Sequence, residues 1–218
     1  MIVNLLSMSD IVNRPTLLIF ASGTKTGGGS GFDNLVRATR TGALDAEIVG
    51  VVSNHEHGGV RERADTLGVP FIHFDPTSHL LIQANKQIVG GEAHAAAEAY
   101  RRIVQRSGAE WVMLSGWLKF VHGLDPRTTF NIHPALLSFD HGPFDRFDKL
   151  TAGKLRASRF GGPGMYGMRI HEAVLAAFER GEITETGCSM HFITEEYDCG
   201  PVFFEYRVPL EKKYPQEC

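Results

Sequence analysis

Short, unbroken apolar runs alternate with stretches of helical period along most of this chain. Residues 16–22 (TLLIFAS) are largely apolar and run into glycine-rich sequence, the pattern of a parallel strand buried on both faces. A helix is expected from Asp33 to Thr41, a second strand from Ala46 to Asn54, a short helix over Val60–Gly68 and a third strand from Val69 to Phe74. The alanine-rich stretch Glu92–Arg106 can place Ala96, Tyr100 and Ile103 on one helical face. Trp111–Gly116 and Thr128–His133 read as the fourth and fifth strands. From Ser138 to Met168 the period is lost, and a loop of that length is a lid, a binding loop or a disordered segment. A helix over Ile170–Arg180 then precedes two strands, Cys188–Thr194 and Pro201–Leu210, joined by the turn Glu195–Gly200. The sum is one three-layer α/β domain: a Rossmann-like, mostly parallel sheet with antiparallel strands at its C-terminal edge. It is expected over residues 16–218, behind an N-terminal extension of residues 1–15.

Composition narrows the function classes. With 43% hydrophobic and 22% charged residues, the chain is neither a disordered tail, a fibrous protein nor a disulfide scaffold. A net charge of −3 gives no general attraction to nucleic acid or anionic membrane. No apolar run nears the roughly 18 residues of a membrane span. Cys188, Cys199 and Cys218 are too few for a disulfide framework, so a reducing cytoplasm is the expected location. Residues 1–15 lack the basic start and long apolar stretch of a signal peptide.

Two segments carry candidate chemistry. The glycine-rich stretch Ser22–Gly31 joins the first strand to the first helix. Glycines let backbone N–H groups approach an anion, and a helix N-terminus adds a favourable dipole. The sequence matches neither the Walker nor the dinucleotide spacing, so the stretch is either a phosphate site or a plain connector. Further on, Asn131-Ile-His-Pro134 ends the fifth strand, where open α/β sheets place ligands. Alternation puts Asn131 and His133 on one side of the strand. An amide able to hold an oxyanion beside an imidazole able to move a proton suits acyl transfer. Asp198, in the turn between the last two strands, can supply a carboxylate that favours the charged form of the imidazole. Each residue also has a plainer role, as a strand-end hydrogen-bonding residue or a turn former.

Four blocks in consistent order resemble glycinamide ribonucleotide formyltransferase, a folate-dependent family of purine synthesis. They are Ser115–Val121 (SGWLKFV), Asn131–Leu137 (NIHPALL), His171-Glu-Ala173, and Thr186–Val202 (TGCSMHFITEEYDCGPV). Val52-Ser-Asn54 is similar to the end of the family's second strand. The resemblance runs from about Leu17 to Leu210. It implies transfer of a formyl group from 10-formyltetrahydrofolate, used as co-substrate, to the amine of glycinamide ribonucleotide, without a metal. Carried over, it makes Asn131, His133 and Asp198 the catalytic residues. It implies ribonucleotide phosphate contacts from Gly29, Ser30, Gly31 and Asn34, with Pro134 beside them. Leu118, Lys119, Phe120 and Val121 would line the folate site with Ile193, Thr194, Glu195, Glu196 and Tyr197. The partners are then small molecules, with no nucleic acid and no membrane, acting on a monomer or homodimer.

Three features depart from the resembled pattern. The family's tight glycine turn is replaced by a longer loop ending Gly31-Phe-Asp-Asn-Leu35. Asp140–Arg159 reads as an insertion before Gly161-Gly-Pro-Gly-Met-Tyr-Gly167, and its Lys149, Lys154, Arg156 and Arg159 either reach a phosphate or folate tail or form a solvated basic loop. The sequence ends soon after Val208-Pro-Leu210, where the family continues with a helix on the ribonucleotide side. Formyltetrahydrofolate deformylase, an amino-sugar formyltransferase and an inactive nucleotide-binding module are the competing readings.

Overall fold

The computed structural model describes residues 14–76, 91–141 and 159–211. Residues 1–13 of the expected extension, most of the expected insertion with Lys149, Lys154 and Arg156, and Cys218 lie outside the described residues. Strand β1 (Thr16–Phe20) is followed by α1 (Ser30–Arg40), β2 (Glu47–Ser53), α2 (Gly59–Leu67) and β3 (Phe71–His73). Helix α3 (Gly91–Ser107), β4 (Trp111–Ser115) and β5 (Thr129–His133) complete the parallel half. A short helix α4 (Ser138–His141), then α5 (Met168–Glu179), leads to β6 (Glu185–Phe192) and β7 (Val202–Pro209). The sheet order is β3-β2-β1-β4-β5-β6-β7. The first five strands pair in parallel, and β6 and β7 are antiparallel, as the sequence pattern leads one to expect.

Two apolar clusters on the two faces of the sheet hold the parallel half. Leu17, Ile19 and Met113 pack with Phe32 and Val36 of α1 and with Val60 and Ala64 of α2. On the opposite face Leu18, Phe20, Val112 and Leu114 pack with Tyr100 of α3 and with Trp117. Odd and even strand positions serve opposite faces, so both must be apolar and no polar alternation appears. A third cluster seats α5 through Ile170, Val174 and Ala177 against Ala135 and Ile183. This third cluster lies beside the segment that follows β5, and so bears on the site.

Two boundaries correct the sequence reading. Helix α1 begins at Ser30, three residues before the expected Asp33, because Gly29 adopts a left-handed conformation (φ 79°) that ends the loop there. The Asp33 N–H donates to Gly29 O at 3.0 Å, closing the first turn. Strand β6 begins at Glu185 rather than Cys188, since Glu185–Gly187 pair with Arg207–Pro209 of β7. Apolar periodicity cannot see that extension, because the added residues are polar or glycine and earn their place by backbone pairing.

Candidate active site

Strand β5 carries Asn131 and His133 to its carboxyl end, and the antiparallel neighbour sets what lies across from them. Asn131 pairs with His191 and His133 with Ser189. His133 and His191 are 3% and 2% exposed. The loop between β6 and β7 returns Asp198 to the same place. Asp198 has φ 55°, the only positive φ outside glycine among the described residues. Asp is among the few side chains that tolerate that conformation, so a turn-forming backbone and a side chain facing β5 are compatible at this position.

The carboxylate is the hub of the cluster. Asp198 Oδ1 lies 3.4 Å from His133 Nδ1, 3.5 Å from His191 Nε2 and 3.3 Å from Asn131 Nδ2. Burial opposes its ionisation, but hydrogen bonds from both imidazoles, and their charges, outweigh burial and hold the carboxyl below the usual carboxylate range. His133 Nε2 sits 2.6 Å from the carbonyl oxygen of Gly161. An imidazole between two acceptors satisfies both only when both nitrogens carry hydrogen, so the position favours the cation.

His191 was not singled out from the sequence. Its Nδ1 lies 3.0 Å from Phe192 O and its Nε2 3.1 Å from Asn131 Nδ2. The carbonyl requires hydrogen on Nδ1; with hydrogen on Nε2 as well the ring donates to Asp198 Oδ1, whereas as the neutral tautomer it accepts at Nε2 from the Asn131 amide instead. Both Asn131 amide hydrogens are then engaged, one by His191 and one by Asp198, and an oxyanion must compete for one of them. The available signal was strand register: an antiparallel pairing that places Ser189 opposite His133 places His191 opposite Asn131.

Of the residues expected at a folate site, two come into direct contact. Phe120 meets Tyr197 edge-on with ring centroids 5.0 Å apart. Val121 and Ile193 both pack against the α3-face cluster. Leu118 is 55% exposed, Lys119 half-buried, and Thr194, Glu195 and Glu196 exposed. The first segment is tied down by Leu118 N–H donating to Ser22 Oγ (3.0 Å) and Tyr100 Oη donating to Phe120 O (3.1 Å). The second is held by Thr194 Oγ1 donating to Glu196 O at 2.9 Å. Cys199 is buried and its Sγ lies 3.1 Å from Tyr197 O. Burial pushes its thiol up to about 11, the opposite of an activated nucleophile. Among the described residues no group of three or more His, Cys, Asp or Glu is arranged to hold a metal ion.

The glycine-rich loop folds back on itself through a Thr24–Gly27 bridge. Gly29, Ser30 and Gly31 form the start of α1, where helix geometry leaves backbone N–H groups unpaired. Asn34 lies a turn further on, its own N–H inside the helix, leaving only an exposed side chain. Gly31 is near the end of β4, for a Cβ there would stand 2.5 Å from Ser115 Oγ. The other wall of the loop is α2. Arg63 Nε donates to Gly28 O and its Nη1 to Asp33 Oδ2, each at 3.0 Å. A cavity of about 360 Å³ there is lined by Gly27, Gly28, Asp33, Arg37 and Arg63, and shares no residue with the Asn131–His133–Asp198 cluster. The buried, convergent polar groups lie in that cluster and not in this cavity.

Close packing of loop on helix yields a stability prediction. A Cβ on Gly59 would lie 2.3 Å from the Gly27 carbonyl carbon. Gly59→Ala should therefore push the loop off α2 and cost about 1–3 kcal/mol, the usual range for overpacking. Thermal unfolding of the variant checks this, and an unchanged Tm would show that the loop yields freely.

A buried amide–imidazole–carboxylate cluster at the carboxyl end of a Rossmann-like sheet is equipment for acyl-group transfer. The sequence model of the formyl transferase family matches residues 17–144, and the chain belongs to that family. It is similar to the chloroplastic phosphoribosylglycinamide formyltransferase of Vigna unguiculata, 29% identical over 203 residues, covering 91% of this chain and 53% of the relative. The corresponding protein of Arabidopsis thaliana is 28% identical over 199 residues, covering 89% of this chain and 55% of its own. The chain spans about half the length of these curated relatives. Among solved structures, glycinamide ribonucleotide transformylase 1 from Symbiobacterium toebii is 25% identical with a TM-score of 0.60, covering 92% of this chain and 76% of that one.

Proposed function

We propose that this chain transfers the formyl group of 10-formyltetrahydrofolate to the amine of glycinamide ribonucleotide, a step of purine synthesis. The observation that carries the reading is the convergence of Asn131, His133 and His191 on Asp198 Oδ1 at 3.3, 3.4 and 3.5 Å. The names of the relatives point the same way. The residues at hand suit both substrates. An aromatic pair, Phe120 and Tyr197, and an exposed Leu118 offer apolar surface to a pterin ring. The unpaired N–H groups at Gly29–Gly31 suit a phosphate.

The chemistry follows from these groups. The neutral amine attacks the formyl carbon and charge builds on the formyl oxygen. Asn131 and a protonated His133 are the donors able to stabilise that charge. A proton must leave the attacking nitrogen before the folate amine departs: once the His133 cation has given its Nε2 proton to the formyl oxygen or the departing folate nitrogen, the neutral ring can take up the proton that the attacking nitrogen releases. His133 offers its Nε2 hydrogen to Gly161 O in this state. The formyl oxygen must therefore displace that carbonyl to use it, which makes the Gly161–Gly162 segment a moving part of the reaction.

The decisive test is folate difference absorbance with and without glycinamide ribonucleotide. Turnover that needs the ribonucleotide supports the transferase. Turnover without any acceptor would replace it by a deformylase, turnover with an amino sugar alone would replace the acceptor, and silence would favour a binding module. We place the activity in a reducing, cytoplasm-like compartment, consistent with Cys188 and Cys199 being free thiols. No helix of the described residues is long and apolar enough to cross a membrane.

A further inference from the structure

The segment that follows His133 is held by a carboxylate two strands away. The sheet register sets His133 beside Ser189 and Ser189 beside Glu205, three residues abreast on one face. Glu205 has a side chain only 3% exposed. Its oxygens accept from Ser138 N–H (3.0 Å), Ser138 Oγ (2.7 Å), Ser189 Oγ (2.8 Å) and Arg207 Nη2 (2.9 Å). Ser189 Oγ in turn accepts from Leu137 N–H at 2.9 Å and lies 2.8 Å from Ala135 O. Arg207 Nη2 also donates to Ser138 Oγ at 2.8 Å. Every residue from Ala135 to Ser138 except Leu136 is thereby tied by a polar contact to β6 or β7, and Leu136 is buried, only 1% exposed.

Such an arrangement exceeds what the turn itself needs. A buried carboxylate without partners is costly, and this one is kept by four donors, two of them on Ser138. The Ser189 hydroxyl has one hydrogen and two acceptors, Glu205 and Ala135 O, so the carboxylate and the backbone share it. Displacement of Glu205 would release Ser138 directly and loosen Leu137 through Ser189. Both lie within five residues of His133, whose ring must keep its place between Asp198 and Gly161.

We propose that Glu205 is a positioning residue for formyl transfer: through Ser189 and Ser138 it clamps the Pro134–Ser138 turn and so holds His133 in register with Asn131 and Asp198. The proposal rests on the transferase reading for its kinetic consequence, but its structural claim does not. Glu205→Gln keeps the volume and one acceptor oxygen while losing the charge. Misplacing a reacting group by about 1 Å is worth on the order of a hundredfold in rate. Glu205→Ala should therefore lower kcat by about that much, with Glu205→Gln restoring part of the loss and KM for both substrates changing little. A merely structural role would instead lower the folded fraction and leave kcat per folded molecule unchanged.

The test measures kcat and KM of the full chain and variants, with amide hydrogen exchange at Leu137 and Ser138. Reduced kcat at unchanged KM, with faster exchange at both amides, supports the clamp. Wild-type kcat in Glu205→Gln together with unchanged exchange overturns it. If Glu205→Ala does not fold, Ser138→Ala removes one side-chain partner and should show the smaller change of the same kind. If the wild type transfers no formyl group, the transferase reading fails by itself. Faster exchange, with a displaced His133 ring resonance in Glu205→Gln, would still establish the clamp, and neither changing would overturn it.

Discussion

Replacing His133 with alanine is expected to slow formyl transfer by about a hundredfold or more, the usual range for losing an acid–base or oxyanion group. Asn131→Ala should do the same. The two side chains share Asp198 as a partner but differ in what they leave behind. Without His133, Asp198 loses one of its two imidazole neighbours and Gly161 O loses its donor at 2.6 Å. Without Asn131, His191 Nε2 loses its neighbour at 3.1 Å and keeps only the Asp198 oxygen at 3.5 Å. Stability should fall in both cases, more for His133, so rates are to be compared per folded molecule. Folate binding should survive both changes: Leu118–Val121 is anchored through Ser22 and Tyr100, and Ile193 is tied to β5 through the Thr129 carbonyl, a backbone contact that neither substitution removes. Single-turnover transfer and folate titration of each variant check the pair. Near-wild-type turnover in either variant would remove that residue from the mechanism.

Asp198→Asn is expected to be nearly as damaging, and its effect carries a pH signature. The carboxyl of Asp198 is held below its ordinary range because two imidazoles outweigh the cost of burial. A group depressed in this way is ionised throughout the neutral range. Its contribution to stability is complete above the unfolded carboxylate value near about 4, and is lost as pH falls below that toward the folded value. The asparagine variant lacks that contribution at every pH. The gap in Tm between wild type and variant should therefore be widest near neutrality and narrow in acid. Removing one partner of a buried charged pair costs on the order of 3 kcal/mol. The histidine consequence is separate: His133 loses the carboxylate that favours its cation, so its titration midpoint should fall, and turnover at neutral pH with it. NMR titration of His133 in both proteins measures this. A midpoint that does not move would leave Asp198 as a turn former and nothing more.

The alternation of apolar runs and helical stretches determined the number and order of the long elements, because burial on both faces leaves an unmistakable run in strands such as TLLIFAS and a helical stripe in α3. It also placed Asn131 and His133 on one face, since side chains in a strand alternate whatever the fold. What it could not supply was anything that depends on a partner distant in sequence. The start of α1 depends on Gly29 turning left-handed, which nothing in a glycine-rich stretch distinguishes from its neighbours. The first residues of β6 are polar or glycine and are strand only because β7 pairs with them. The hub role of Asp198 depends on a loop returning 67 residues after Asn131, and the partnership of His191 with Asn131 on antiparallel register. Glu205 reads in the sequence as one more charge in an apolar strand. Its burial, and its hold on the turn after His133, arise because tertiary structure set Ser138, Ser189 and Arg207 around it. Local pattern records which residues must leave water, whereas the choice of which buried polar groups meet is made by strand order and register, and those exist only once the sheet is assembled.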